Sequence, residues 1–311
     1  MKDYYIYYNN NYVRQSEARI PVLSASSQFG LNVFEGIRVY KEDFFYIFRL
    51  EDHLKRLNNS LHLIGLDIDV ITKKEFLNIL IELIILNNIK TDFSIRFTYL
   101  IDELDSWSSI KRPTFFIAPL IRDRNSADNY KTAYLTKTRR ISKYAMNPKI
   151  KCGANYINGR YALLEAKSKG ADLPILKNKD GFISESSGAC VFLVKNGVVI
   201  TPSLDCDILE SITRDTVIKI FLENNYKVEE RFISEAEFNE CDEIFLCGSA
   251  AEITPLKILK DLDFKIGAIT KFIFQEYQQA ITAKSYNKNF WTTKLNVKNH
   301  SKKLNTINNE S

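Results

Sequence analysis

The stretch NPKIKCGANYINGRY, residues 147–161, carries two lysines two positions apart, Lys149 and Lys151, ahead of a small-residue turn and an Asn-Tyr pair. In an extended segment residues i and i+2 face the same way. Spacing therefore does not choose between the two amines. A lysine on a sheet face is ordinarily solvated. One set beside a glycine-containing turn and a tyrosine is placed to serve as a reactive amine held at a cofactor.

Outward from this stretch, the chain of 311 residues has room for two ordinary domains. Hydrophobic residues make up 45% and charged residues 26%, a globular balance. No run approaches the roughly 18 apolar residues of a membrane helix. The first residues, MKDYYIYYNNNYVRQ, lack a basic-then-apolar export pattern, so the expectation is a cytoplasmic protein. The formal charge of +5 belongs to the end of the chain. From Lys284 onward there are six lysines (284, 288, 294, 298, 302 and 303) against one acid, Glu310. A neutral body over residues 1–283 argues against a nucleic-acid footprint. The five cysteines form no Cys-x-x-Cys pair and read as reduced thiols. His53, His62 and His300 lack metal-site spacing, and no metal is expected.

YYIYYNNNYVR (4–14) reads as strand, turn, strand, with the asparagines supplying positive-φ residues. NVFEGIRVY (32–40) and FFYIFRL (44–50) read as strands. Leu50, Leu54, Leu57, Leu61 and Ile64 recur at helical spacing, with Gly65 at the stop. A second helix follows at 72–88, then strands at 92–101 and 112–121. The apolar pattern breaks at RDRNSADNYK (122–131), the best linker candidate. Beyond it come TAYLTKT (132–138), a helix over 159–170, and strands at 173–177, 181–184 and 190–200. A helix over 213–225, the strand DEIFLC (242–247) and a helix over 268–281 complete the order. Strict βαβ alternation is missing, so the expected class is α+β. No GxGxxG or GxxxxGK[ST] appears.

Four elements of the second half carry groups that suit a common chemistry. They are a lysine at 149 or 151, Glu185 in GFISESSGACVF, the helix start in LESITRD, and the small-residue turn CGSAAEITP. Singly, each has a bland reading. Ser or Thr before a helix is usually an N-cap, and an acid among serines is usually solvated. Arg56, beside the leucine stripe, has the position of a surface or snorkelling arginine. Together they match pyridoxal phosphate, which needs an amine for its aldehyde and an acid at its ring nitrogen. It also needs backbone N–H groups and an arginine for its phosphate.

The chain resembles the branched-chain amino acid aminotransferases, within the class IV (fold type IV) pyridoxal-phosphate enzymes, from about residue 4 to about 295. Six motifs carry the resemblance, in order: FGLNVFEGIRVY, FRLEDHLKRL, KCGANY, GFISESSGACVF, LESITRD and GSAAEITP. By position, the resemblance implies Lys151 as the catalytic lysine bound to the cofactor, Tyr156 at the ring hydroxyl and Glu185 at the pyridine nitrogen. Arg56, Ile212, Thr213 and Ser249 would hold the phosphate. Ser249 and Ala250 would offer N–H groups to the substrate carboxylate. Phe34 would wall the side-chain pocket, with Glu35 and Arg38 at its edge, and Arg96 would read the distal carboxylate of glutamate.

The implied fold is a small N-terminal α/β domain (1–121), a linker (122–130), a larger pseudo-barrel α/β domain (131–283) that binds the cofactor, and a polar, partly disordered tail (284–311). Cofactor and substrate would lie in the cleft between the domains. The implied activity is transamination of an L-amino acid, branched-chain by preference, with 2-oxoglutarate and glutamate. The partners would be small amino and 2-oxo acids and a second subunit that lends part of the pocket. A class IV transaminase for D-amino acids or an unusual amine, a lyase of the aminodeoxychorismate type and a non-catalytic cofactor-binding relic are the alternatives.

Four positions depart from the pattern. Phe29 and Ser94 replace tyrosines, Cys190 stands where Asn is common, and Ser211 stands where Gly is common. The segment APLIRDRNSADNYK also lacks the usual Trp-Gly-x-Tyr run. The cofactor set is nearly intact while the substrate set is altered.

Overall fold

A computed structural model describes residues 2–126, 128–258, 266–282 and 290–297. The chain divides into two compact units, Met1–Asp123 with Gln279–Ser311, and Arg124–Gln278.

The first unit opens with β1 (Tyr5–Tyr8) and β2 (Asn11–Arg14), a hairpin turned by Asn9 and Asn10 at φ 48° and 61°. Asparagine tolerates the left-handed region that a two-residue hairpin turn requires. Then follow α1 (Ala25–Phe29), β3 (Asn32–Lys41), β4 (Phe45–Phe48), α2 (Leu50–Leu63), α3 (Lys73–Leu86), β5 (Phe93–Leu100) and β6 (Thr114–Ile121). The leucine stripe of α2 is buried at Leu50, Leu54, Leu57 and Leu61. Thr72 and Glu75 close a capping box on α3.

Strand alternation gives the sheet two different faces. Val33, Glu35, Ile37 and Val39 of β3 share a face with Ile95, Phe97 and Tyr99 of β5, all buried. On that side Phe76 of α3 packs on Phe97 at 5.4 Å, and Arg56 of α2 bonds Glu35. Phe34, Gly36 and Arg38 lie opposite, level with Thr98, Arg96 and Ser94.

The second unit contains β7 (Lys131–Arg139), α4 (Asn155–Ser168), β8 (Leu173–Lys177), β9 (Cys190–Lys195), β10 (Val198–Pro202) and α5 (Ile212–Glu223). These are followed by β11 (Val228–Arg231), α6 (Glu235–Asn239), β12 (Glu243–Gly248), β13 (Glu252–Ile258) and α7 (Ala268–Ile281), which runs across the division between the units. Its mixed sheet has the order β11-β10-β9-β12-β13-β7-β8. One face carries an aliphatic core that includes Ile175, Val191, Leu193, Ile244 and Leu246. On the other, Phe192 and Phe245 stack at 5.1 Å, and Phe221 of α5 lies 6.3 Å from Phe245.

The fold is α+β, as the sequence indicates, with several local differences. The run 190–200 is a hairpin, turned by Asn196 and Gly197 at positive φ. Residues 181–184 form no full strand, only a bridge from Ile183 to Lys177. Strands β11 and β13 have no counterpart in the apolar pattern. Helix α4 begins four residues ahead of Gly159, the residue read as its start.

The stretch expected to be a polar tail also contains a strand. β14 (Thr292–Leu295) pairs antiparallel with β4. Trp291 and Leu295, each 3% exposed, give this segment the apolar anchors that its lysines hide in the sequence. It covers what would be a bare sheet edge at β4. The tail residues at 284–289 and 298–311 lie outside the described residues. Among the described residues no helix is long and apolar enough to cross a membrane, and no cluster of His, Cys, Asp and Glu could hold a metal.

Candidate active site

Residues 151–154 turn and lead into α4. Its first turn fixes the turn from within: Asn155 Nδ2 donates to the Ile150 carbonyl at 2.9 Å, and Lys151 Nζ donates to the Tyr156 hydroxyl at 2.7 Å. Two consecutive helix residues thus hold two consecutive loop residues. Lys149 is exposed, and its backbone amide donates to Asn147 Oδ1. Of the two lysines, Lys151 is the one brought against tyrosine.

Glu185 lies in the loop between β8 and β9 and is 6% exposed. The main chain pins it to β8: Leu176 N donates to Glu185 O and Ser184 N to Leu176 O, both at 2.9 Å. Its Oε1 accepts from Arg140 Nε at 2.8 Å and its Oε2 from the Leu209 amide at 3.3 Å. Arg140 in turn donates to Asn158 Oδ1 of α4 at 3.3 Å. Neither Arg140 nor Asn158 was identifiable in the sequence as part of the site.

The four motifs of this unit converge. A Cβ built on Gly159 would meet the Ser187 carbonyl oxygen at 2.9 Å, so only glycine lets α4 approach the Glu185 loop this closely. A Cβ on Gly188 would lie 3.9 Å from the Tyr156 ring, and one on Gly248 3.4 Å from the Gly188 carbonyl oxygen. The lysine–tyrosine pair, the Glu185 loop and the turn at Ser249 and Ala250 are therefore neighbours. The Leu209 amide ties in the segment leading to α5. Ser211 caps that helix, accepting from Arg214 N at 3.2 Å. Ile212 and Thr213 stand in its first turn, where amides have no intrahelical acceptor and the helix dipole favours an anion. The Ser249 turn is secured by Asn125, whose amide donates to Glu252 Oε2 at 2.9 Å and whose Nδ2 donates to Ala251 O and Thr254 Oγ1.

The first unit holds the other candidates. Arg96 lies over the Phe34 ring at 4.2 Å. Two neighbouring cavities of about 340 and 370 Å³ share Ile20, Arg96, Leu100 and Phe116, and Phe34 lines the second. Arg38 is 2% exposed and donates to the carbonyls of Arg122 and Asp123 at 2.8 and 3.1 Å and to Ser94 Oγ at 3.4 Å. It secures the end of this unit. Glu35, read beside Phe34 at a pocket edge, faces the other way. It lies on the helix-covered face, where its carboxylate is held by Arg56 Nε at 2.6 Å, Arg56 Nη2 at 2.8 Å and His53 Nδ1 at 2.7 Å. Burial pushes the Glu35 carboxyl up, but the Arg56 and His53 charges outweigh it and hold the group well below the usual carboxylate range.

A buried carboxylate, an amine paired with a phenol and a capped helix start thus stand together in one unit. The family model for amino-transferase class IV matches residues 32–259, and the chain belongs to that family. Among curated proteins, a putative branched-chain-amino-acid aminotransferase of Methanocaldococcus jannaschii is 30% identical over 285 residues, spanning 89% of this chain and 96% of that one. Among solved structures, the branched-chain aminotransferase of Thermoproteus uzoniensis with norvaline superposes with a TM-score of 0.89 at 32% identity, over 94% of this chain and 99% of the other. The branched-chain amino acid aminotransferase of Thermobaculum terrenum in its PLP form gives 0.87 at 32% identity, over 94% and 98%.

Proposed function

We propose that this aminotransferase moves the amino group of a branched-chain L-amino acid to 2-oxoglutarate with pyridoxal 5′-phosphate as cofactor. The observation that carries the reading is the joining of Lys151, Tyr156, Glu185 and the Ser249 turn within one unit. The names of the relatives support the substrate class.

The donor set fits the cofactor: a primary amine, a buried carboxylate and helix-start amides stand in one neighbourhood. When bound, pyridoxal phosphate supplies an aldehyde that captures amines and a cationic ring that accepts the electron pair at Cα. Lys151 Nζ would hold the cofactor and would carry the proton to and from Cα as base and acid. The Tyr156 hydroxyl aims that amine and would bond the ring hydroxyl. Glu185, neutralised on one oxygen by Arg140, keeps the proton on the ring nitrogen. Ile212, Thr213 and the Ser249 hydroxyl would hold the phosphate, with Arg56 as the cation the resemblance assigns to it. Ser249 and Ala250 offer amides to the substrate carboxylate. Phe34 lines the side-chain pocket, Arg96 takes the distal carboxylate of glutamate, and Arg38 acts through the Arg122 and Asp123 carbonyls it holds.

We further propose a cytoplasmic homodimer. All five cysteines are free thiols, which suits a reducing compartment. Val22, Leu23, Leu104, Trp107 and Ile110, between 57% and 89% exposed, lie on two segments joined by the Ser24–Leu104 bridge and form an apolar face suited to a second copy.

The test is a donor screen by half-reaction, following loss of the cofactor's visible absorption. Leucine, isoleucine and valine should discharge it and D-alanine should not. Lys151→Ala should keep that visible absorption with every donor, because the proton on Cα is no longer moved. Discharge by D-alanine alone would reject the substrate class, and turnover in Lys151→Ala would reject the mechanism.

A further inference from the structure

Glu35 is a carboxylate in the middle of a core strand. It is 0% exposed, at a position whose same-face neighbours are Val33 and Ile37. Burying an ion there is costly unless it is fully paired, and an aliphatic residue would suit the strand better. Both oxygens are engaged: Oε1 by Arg56 Nε, Oε2 by Arg56 Nη2 and His53 Nδ1. The guanidinium is a rigid planar fork. Held side-on through Nε and Nη2, its plane is fixed and its Nη1 edge is aimed away from Glu35. His53, 1% exposed and one turn ahead of Arg56 on α2, stops the carboxylate from rotating.

We propose that Glu35, steadied by His53, is a positioning residue that presets Arg56 and thereby sets the affinity for the phosphate of the cofactor. The proposal rests on the reading of Arg56 as a phosphate ligand. A preset guanidinium loses less side-chain freedom when the phosphate arrives, and its charge is fixed in direction before binding. The opposing possibility, that Glu35 merely fills and neutralises the core, would leave the phosphate out of its effect.

The distinction can be measured with two cofactors, pyridoxal phosphate and pyridoxal, titrated into the full chain stripped of cofactor and followed by visible absorbance. Glu35→Gln should weaken pyridoxal phosphate about tenfold, the worth of one charge-assisted hydrogen bond, and leave pyridoxal unchanged. Arg56→Ala should show the same selectivity, and Glu35→Gln added to Arg56→Ala should cost nothing more. His53→Gln, which keeps both members of the ion pair, should show a smaller loss of the same kind. It serves as the reading should Glu35→Gln fail to fold.

Equal weakening of both cofactors in Glu35→Gln would reduce Glu35 to a structural role. Unchanged or tighter phosphate binding in Glu35→Gln, with a selective loss in Arg56→Ala, would overturn the proposal alone. No selective loss in Arg56→Ala would instead overturn the assignment of Arg56. With His53→Gln as the sole folded variant, unchanged or unselective binding overturns the proposal.

Discussion

Removing Arg140 should destabilise the second unit by stranding Glu185. Arg140 and Glu185 meet at 2.8 Å with side chains 10% and 8% exposed. At an effective dielectric constant near 20, that separation corresponds to about 6 kcal/mol of attraction. Desolvation offsets most of it, so the pair is no large net stabiliser. Breaking it is a different matter, because Arg140→Ala leaves a carboxylate buried without its cation. Such changes cost about 3–5 kcal/mol. The Leu209 amide still serves Oε2, at 3.3 Å, and moves the expectation to the lower end, about 3 kcal/mol. At about 2–4 °C per kcal/mol for a unit of this size, the melting temperature should fall by about 6–12 °C. Scanning fluorimetry of the cofactor-free protein measures it. Arg140→Gln, which keeps a donor, should lose about half as much, and Arg140→Ala combined with Glu185→Gln should lose less than the sum of the two single changes. A melting temperature within about 2 °C of the parent for Arg140→Ala would mean that water already screens Glu185, and the electrostatic reasoning would fail.

Three further outcomes follow from the same contacts. The folded-state carboxyl of Glu35 is held below its unfolded value, so the stability it contributes is complete above the ordinary carboxylate range of about 4 and is lost as pH falls through the folded value. The stability gap between the parent and Glu35→Gln in urea should therefore narrow between pH 6 and pH 3; a constant gap would contradict the paired state of that carboxylate. Gly159→Ala forces a methyl to within 2.9 Å of the Ser187 carbonyl oxygen and 3.0 Å of its Cβ, and should cost about 1–3 kcal/mol and slow the half-reaction, since the Glu185 loop must shift. Parent-like stability and rate would show that α4 and that loop are not tightly packed. Ile110→Lys places a charge on the apolar face and should shift sedimentation from dimer to monomer; an unchanged species would move the dimer contact elsewhere.

The parts of the site that sequence could reveal are those whose chemistry and backbone lie close together along the chain. KCGANY is legible because the turn, the amine and the phenol sit within six residues. Even there, strand geometry misdirects. Residues 149–151 do not run as a strand, so the two-residue period does not make Lys149 and Lys151 equivalent, and helix α4 brings Lys151 against Tyr156. The strand rule does hold for β3, and it corrects the grouping of Phe34 with Glu35 at one pocket edge: adjacent strand residues face opposite ways, one toward Arg96 and the other toward Arg56.

The less legible groups are those that supply charge from a distance. Arg140 reaches Glu185 across 45 positions, Arg56 reaches Glu35 across 21, and Arg38 reaches the Arg122 carbonyl across 84. No local period encodes such pairs, because each is decided by which face of a strand or helix the assembled layers bring together. The same holds for β14, where Trp291 and Leu295 anchor a lysine-bearing stretch to the edge of β4. A motif can thus announce the residue that does the chemistry while leaving unsaid the residues that hold its charge and direction. Two of those supports, Arg140 with Glu185 and Arg56 with Glu35, are buried ion pairs. They are where substitution should alter cofactor affinity while the reacting groups themselves stay in place.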